Sequence, residues 1–416
     1  MNTPKAIPPR QPTGRWSIRI LGLLIAAGVL IRIILALMHP LTFPDSLDYL
    51  HLAHCIERGA PYRVTGMYAK RLPGYPIFMA GVLMTDSGQA VGILIWQALI
   101  SGGMIYLAWR LGRHVDPLVG LLSAAFVTID PLLIGFSASY LSETIFTATL
   151  LFTLLIFIQC CMQKTNWWLL CAFAVLFVVD IYIRAEIALC IFPLLAYFTI
   201  AIGRKHWHRR ALQSLLVLII IFAGMMPWWV RNWELFHSNF FRFSTLEGIS
   251  LYESVYHGAT GGPRQSHIKW PANMKKLNES QRDNRWTKMA FTAIREHPWR
   301  VGRLAFIKIG RTWSPWLHAK GFRSAGVNAL LVFWYSVQYA FAIIGLWHLC
   351  IHRRKMLLGV TLIPILYLTA MHALFLGSVR YRVPLIPLLC FLAAVGVQQI
   401  YSAYMASRLR TAACCG

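Results

Sequence analysis

Long apolar stretches recur through the whole chain and leave it one broad kind of fold. A helix needs ~20 residues to cross a hydrocarbon core. Windows of that kind can be drawn at 17–38, 90–109, 118–135, 142–162, 167–183, 187–202, 211–229, 326–349, 356–376 and 383–404. With 57% hydrophobic and 13% charged residues, the 416-residue chain is too apolar for a soluble domain of its length. The expectation is an all-α polytopic membrane protein of about ten transmembrane helices.

The basic residues orient it. Every second short connection carries positive charge: Arg110 and Arg113, then Lys164, Arg204, Lys205, Arg209 and Arg210, then Arg353, Arg354 and Lys355. Together with Lys5, Arg10, Arg15 and Arg19 ahead of the first window, this predicts both termini in the cytoplasm and residues 39–89 and 230–325 outside. Met38-His39-Pro40 lacks the small-residue pattern of a signal-peptidase site, so the first window reads as a retained anchor. A formal charge of +25 would suggest nucleic acid in a soluble protein. Here much of it sits at span ends beside anionic headgroups, so the expected partner is the lipid bilayer and not nucleic acid. The basic segment from Arg231 to Arg323, interleaved with Trp270, Trp286, Trp299, Trp313 and Trp316, reads as helices lying in the interface, a placement compatible with a site for an anionic lipid phosphate. The expectation is a single transmembrane domain over 1–416, with 39–89 and 230–325 as its outer loops and no separate soluble C-terminal domain.

Several chemistries find no support. The nine cysteines fall mainly in apolar runs and the tail and suggest no disulfide framework, and the 14 histidines show no zinc-ligand spacing. Gly258-Ala259-Thr260-Gly261-Gly262 follows no strand pattern and reads as a turn, not a phosphate loop.

Only 15 residues are acidic, so the position of each matters. Asp45 and Asp48 follow the first window in Pro44-Asp45-Ser46-Leu47-Asp48-Tyr49, where the apolar spacing to Ile56 predicts a short surface helix over 45–58. Asp45 is a candidate general base for an acceptor hydroxyl; helix capping, with Asp48 complementing the dipole, is the competing reading. Lys70-Arg71-Leu72-Pro73-Gly74-Tyr75-Pro76 opens an apolar piece too short to span, and Arg71 there has the planar fork that grips a phosphate; headgroup anchoring is its alternative. Glu143, at the start of an apolar run, is costly to bury and calls for a function or a cationic partner. Asp180, Arg184 and Glu186, near the outer end of the fifth window, could form a charged network; mutual neutralisation of Asp180 and Arg184 at i,i+4 spacing is the competing reading. Arg231 and Asn232 close one window; Arg380, Tyr381 and Arg382 precede the last. In the predicted topology all of these face outward.

The residues also carry a family resemblance. Pro44-Asp45-x-x-Asp48-Tyr49, Arg71-x-Pro73-Gly74-Tyr75-Pro76, Ser142-Glu143, Pro227-Trp228-x-x-Arg231-Asn232 with Ser244-Thr245 and Gly248, His297-Pro298, and Arg380-Tyr381-Arg382-x-Pro384 recur in order over nearly the whole chain. The chain resembles the bacterial dolichyl-phosphate-mannose protein mannosyltransferases, aminoarabinose transferases included, of the GT-C membrane glycosyltransferase superfamily. The resemblance implies a multi-span fold with outer-surface helices and inverting transfer of a sugar, hexosyl or pentosyl, from a polyprenyl-phosphate donor. It makes Asp45 look like the catalytic base and Arg71 a phosphate ligand. Asp48, Tyr49, Lys70, Tyr75, Glu143, Arg231, Asn232, Arg380, Tyr381 and Arg382 complete the expected substrate site. Many relatives have two adjacent acids in the first loop; here Ser46 follows Asp45, which leaves open whether Asp48 takes the second role. No cofactor is implied. Asp45, Asp48 and Glu143 offer oxygen ligands for a divalent ion, at a spacing diagnostic of none. The acceptor is open: a protein, glycolipid or polysaccharide hydroxyl. The rival readings are a transporter or flippase of lipid-linked sugars, which would more often show inverted repeats, and an oligosaccharide ligase or polymerase.

Overall fold

The computed structural model describes residues 14–85, 89–162, 166–202, 207–263, 267–318 and 324–414. Lys5, Arg10, Lys164, Arg204, Lys205 and Arg323, used above for orientation, lie outside these residues.

The described elements are helices joined by short turns, with two isolated β-bridges. Among the described residues seven helices are long and apolar enough to span a membrane: Arg15–Met38, Ala90–Gly112, Glu143–Met162, Trp207–Phe236, Ala325–Ile351, Lys355–Leu374 and Val379–Arg408. A bent pair, Pro117–Ile129 with Pro131–Ser137, passes the same test together, as a broken span or a re-entrant loop with a 54° bend. The protein is therefore a multi-pass membrane protein, and among the described residues seven or eight of the roughly ten expected spans are long and apolar enough to cross. The window at 167–183 is a shorter helix, and the one at 187–202 breaks into 3-10, α and π turns between Ala185 and Ile202.

Local chemistry explains most of these boundaries. Pro44, Pro117, Pro131 and Pro298 each open a helix, where a missing N–H costs nothing. Asp116, Asn166 and Ser324 accept hydrogen bonds from the first turns that follow them. At the bent pair, Pro131 supplies no N–H and the Asp130 carboxylate takes up the freed N–H groups of Leu132 and Leu133 at 3.1 and 3.0 Å. Trp334 and Tyr335 donate to the same buried carboxylate, tying the break to the Ala325–Ile351 helix.

Burial sorts the helices by depth. The best apolar window of Val379–Arg408 is 78% buried and that of Glu143–Met162 72%, against 22% for Arg15–Met38, so the first two are central and the last lies at the periphery. Ala325–Ile351 meets the central helix at Gly345 and Gly396. A Cβ on either would collide with the carbonyl of Leu392 or Phe341 across the interface, so the backbones touch where only glycine fits.

Residues 247–296 form a small second core around Ile249, Tyr256, Ile268, Met274 and Trp286. This alters the reading of the aromatic segment. Trp286 is buried against Tyr252 and Trp270 at ring separations of 4.9 and 5.6 Å, because the Glu279–Glu296 helix folds onto Glu247–Val255. Trp299 and Phe306 remain exposed on the Pro298–Thr312 helix.

Candidate functional site

Six segments distant in sequence meet at one end of the bundle, and their charged side chains close into a continuous network. Asp45 and Asp48 lie on the first turns of the Pro44–Glu57 helix. Neither caps it: the Phe43 N–H is taken by the Ser46 hydroxyl at 3.0 Å, so both carboxylates are left for long-range partners. Lys70 and Arg71 come from the turn before Gly74–Thr85. That turn reverses between Val64 and Met67 through Thr65 and Gly66, both at positive φ. Gly74 then passes so close to Tyr182 that a Cβ would stand 2.5 Å from its carbonyl carbon, which brings the Arg71 turn against the Arg184 turn.

Asp45 is held from both sides. Its Oδ1 accepts from Arg71 Nη2 at 2.5 Å and its Oδ2 from Arg380 Nη1 at 2.7 Å. Asp48 accepts from Lys70 Nζ at 2.8 Å and from Arg71 Nη2 at 3.2 Å. Arg380 also donates through Nε to Glu143, whose Oε1 accepts from Arg184 Nη1 at 2.7 Å. Arg184 continues to Glu186 at 2.8 Å, and His372 lies 3.8 Å beyond. Four carboxylates (Asp45, Asp48, Glu143 and Glu186) thus face four cations (Lys70, Arg71, Arg184 and Arg380). Burial alone would raise the Asp45 carboxyl; the guanidiniums of Arg71 and Arg380 outweigh it and hold it down at about 2.

Aromatic rings pack around the network. Arg71 lies over the Tyr49 ring at 5.3 Å, and Tyr49 meets Tyr75 edge-on at 5.0 Å. The Tyr75 hydroxyl donates to Gln97, which in turn donates to the carbonyls of Ser137 and Ser139. Tyr381 stacks on His372 at 4.4 Å. Next to Arg380 opens a cleft of about 780 Å³. Its walls are largely apolar, with Leu41, Phe43, Leu132, Phe136, Leu330 and Leu331 among them, and Arg311, His267 and Arg380 supply polar groups.

Of the residues singled out by sequence, the structure brings Asp45, Asp48, Tyr49, Lys70, Arg71, Tyr75, Glu143 and Arg380 together, with Tyr381 at the His372 end. It does not bring Arg231, Asn232 or Arg382 into contact with them. Arg231 donates to the carbonyls of Tyr62 and Tyr68 at 3.3 and 3.1 Å, and Asn232 to that of Arg242 at 3.1 Å. Arg382 is buried over the Tyr335 ring and donates to the Thr312 and Ser314 carbonyls. The expected Asp180–Arg184 pair does not form: Asp180 accepts from the Thr153 hydroxyl at 2.7 Å, while Arg184 caps its helix and turns toward Glu143 and Glu186. Asp45, Asp48 and Glu143 do not gather as a metal site, since no group of three or more His, Cys, Asp or Glu among the described residues is placed to hold one. Gln97, a lone amide in an apolar run, and Glu279, whose carboxylate reaches the backbone beside Lys70, were not anticipated.

Comparison with known proteins agrees with this architecture. Residues 70–230 match the family of dolichyl-phosphate-mannose-protein mannosyltransferases. The oligosaccharyltransferase of Archaeoglobus fulgidus in its apo form superposes with a TM-score of 0.55 at 13% identity, over 96% of this chain and 52% of that one. The same enzyme tethered to an acceptor peptide gives 0.53 at 12% identity, over 95% and 51%. ArnT from Cupriavidus metallidurans, bound to undecaprenyl phosphate, gives a TM-score of 0.41 at 12% identity, over 93% and 78%. No curated protein sequence matches the chain. The fold is similar to that of the archaeal oligosaccharyltransferase. The family match is confined to residues 70–230, and the chain spans about half the length of the archaeal enzyme.

Proposed function

We propose that the protein is an inverting glycosyltransferase that moves a sugar from a polyprenyl-phosphate donor to an acceptor hydroxyl at the extracytoplasmic face of the plasma membrane. The observation that carries this reading is Asp45 held between Arg71 and Arg380, with Arg380 also lining the apolar cleft. A polyprenyl phosphate needs a long apolar wall ending at cations, and the cleft has that polarity.

The chemistry follows from the charge balance. Direct displacement makes the bond from acceptor oxygen to anomeric carbon and breaks the bond to the phosphate oxygen. The acceptor loses a proton and the phosphate gains negative charge. With its pKa near 2, Asp45 in the empty site is a weak base. An arriving phosphate anion draws on Arg71 and Arg380. Every share of guanidinium it takes leaves Asp45 less neutralised in a buried setting, so its proton affinity rises as the donor seats. The same arginines then stabilise the departing phosphate, and Glu143 and Asp48 keep them aligned.

Purified protein given a synthetic polyprenyl-phosphate sugar is expected to transfer or slowly hydrolyse the sugar. Retention of the sugar–phosphate bond with every acceptor hydroxyl supplied would leave the transporter reading standing. Arg71→Lys supplies the sharper test. A headgroup anchor needs only charge on a long stem, whereas Arg71 uses its fork on Asp45 and Asp48 and would use it on phosphate. The donor KM should rise on the order of tenfold in Arg71→Lys and further in Arg71→Ala; unchanged donor kinetics in both would remove Arg71 from the site.

The face is a separate proposal. The network sits at the helix ends opposite the basic turns around Arg113, Arg209 and Arg354, which positive-inside loops put in the cytoplasm. Cysteines placed at exposed Ala60 and His208 should label from opposite sides of intact cells. Labelling of both from one side would reverse or refute this topology.

A further inference from the structure

The turn that presents Lys70 and Arg71 has almost no regular structure of its own, yet the peptide groups of Tyr68, Ala69 and Lys70 are taken up by residues more than 160 positions away. The Glu279 carboxylate accepts the Tyr68 N–H at 2.9 and 3.0 Å with its two oxygens and the Ala69 N–H at 3.1 Å. Arg231 holds the Tyr68 carbonyl at 3.1 Å, the Thr245 N–H holds the Ala69 carbonyl at 2.9 Å, and the Ser244 hydroxyl holds the Lys70 carbonyl at 2.9 Å. The carbonyls of Arg71 and Leu72 go to the Tyr62 hydroxyl at 3.1 and 3.2 Å. Glu279 itself is fixed as the first residue of its helix, after the Asn278 cap. A carboxylate that spends both oxygens on two successive backbone N–H groups sets the direction of the next two side chains, and those are Lys70 and Arg71.

From this geometry we infer that Glu279 is a positioning residue for the phosphate-gripping pair Lys70–Arg71, acting on the site through the backbone of Tyr68 and Ala69 without touching substrate. Ser244 supports it from the other edge of the turn. The inference rests on the reading of Arg71 as a phosphate ligand, and it makes Arg231, Ser244, Thr245 and Glu279 the support of the donor site. Glu279→Gln keeps the size of the side chain but removes its charge and sets an amide donor against the Tyr68 N–H where Oε2 had accepted, so the charge-assisted hold on the two N–H groups is weakened. The turn then loosens, and Arg71 no longer stands ready for the anion.

The test is equilibrium binding of a synthetic polyprenyl monophosphate to the full-length protein in lipid nanodiscs, for wild type, Glu279→Gln, Arg71→Ala and the double variant. Glu279→Gln is expected to weaken binding about tenfold, since small misplacement of a gripping group is costly. Because it acts through Arg71, the double variant should bind no worse than Arg71→Ala alone. A purely structural role would instead lower the melting temperature and add its binding loss to that of Arg71→Ala. Additive losses, or wild-type affinity in Glu279→Gln, overturn the inference while leaving the donor site intact. Wild-type protein that binds no polyprenyl monophosphate, or an Arg71→Ala variant that binds normally, sinks the donor-site reading itself and the inference with it. Should Glu279→Gln fail to fold, Ser244→Ala frees the Lys70 carbonyl from the same turn and should give a smaller, equally non-additive loss.

Discussion

Asp45→Asn is expected to lower turnover by a factor on the order of 10²–10⁴ while the protein stays folded and still binds the donor. The amide keeps the volume of the carboxylate and one oxygen for Arg71 or Arg380, so geometry is largely preserved. What it loses is the charge that those two guanidiniums neutralise and the proton acceptor that the donor uncovers. Donor affinity should hold or improve, because Arg71 and Arg380 no longer divide their charge between Asp45 and a phosphate. Loss of kcat with an unchanged or lowered donor KM is therefore the pattern that identifies a base. A raised donor KM with near-normal kcat would make Asp45 a scaffold for the arginines instead. The pH dependence has a definite sign. A folded-state carboxyl depressed to about 2 contributes stability that is complete above the unfolded value of ~3.9 and is lost as pH falls from there toward 2. In the free enzyme the carboxylate thus stays ionised through mildly acidic pH, and kcat/KM should show no acid limb from Asp45 between about pH 4 and 6.

Much of the network was visible in the sequence because charge is scarce there and expensive beside apolar runs. Asp45, Asp48, Lys70, Arg71, Glu143 and Arg380 stood out by position alone. Their pairings did not. The i,i+4 rule assigns Arg184 to Asp180, but a helix C-cap releases the Arg184 side chain, and it finds Glu143 across 41 residues. Arg380 and Arg382 look equivalent in Arg380-Tyr381-Arg382, yet on a 3-10 turn two residues apart point to different sides: Arg380 to Asp45 and Glu143, Arg382 to Tyr335 and two carbonyls. Hydropathy windows average over the break at Asp130-Pro131 and over the irregular turns of 185–202, and so count full spans where the backbone bends. Glu279 carries no signal at all in its own neighbourhood, since its partners are backbone groups 210 residues away.

Glu143→Gln should have the largest effect on stability of any single change in the site. The Glu143 side chain is fully buried and is the shared acceptor of Arg184 and Arg380. Both guanidiniums donate to the same oxygen, Oε1, so an amide oxygen standing there can still accept from each, but the side chain no longer carries the charge that balances them. Removing one partner from a buried ion network leaves an uncompensated buried charge and costs ~3–5 kcal/mol. The network magnifies this. With Glu143 present its charges balance four against four; without it Arg184 keeps only Glu186, and Arg380 keeps only Asp45. Arg380 would then bear harder on Asp45, lowering its proton affinity further and opposing the release that the donor has to bring about. The expected outcome is a marked fall in the melting temperature in detergent, together with a loss of turnover that added donor does not restore. Glu143→Asp would retain the charge but fall short of one guanidinium, and should lie between. A Glu143→Gln protein with wild-type melting and reduced turnover would mean that the arginines find another acceptor, and that Glu143 meets the substrate directly.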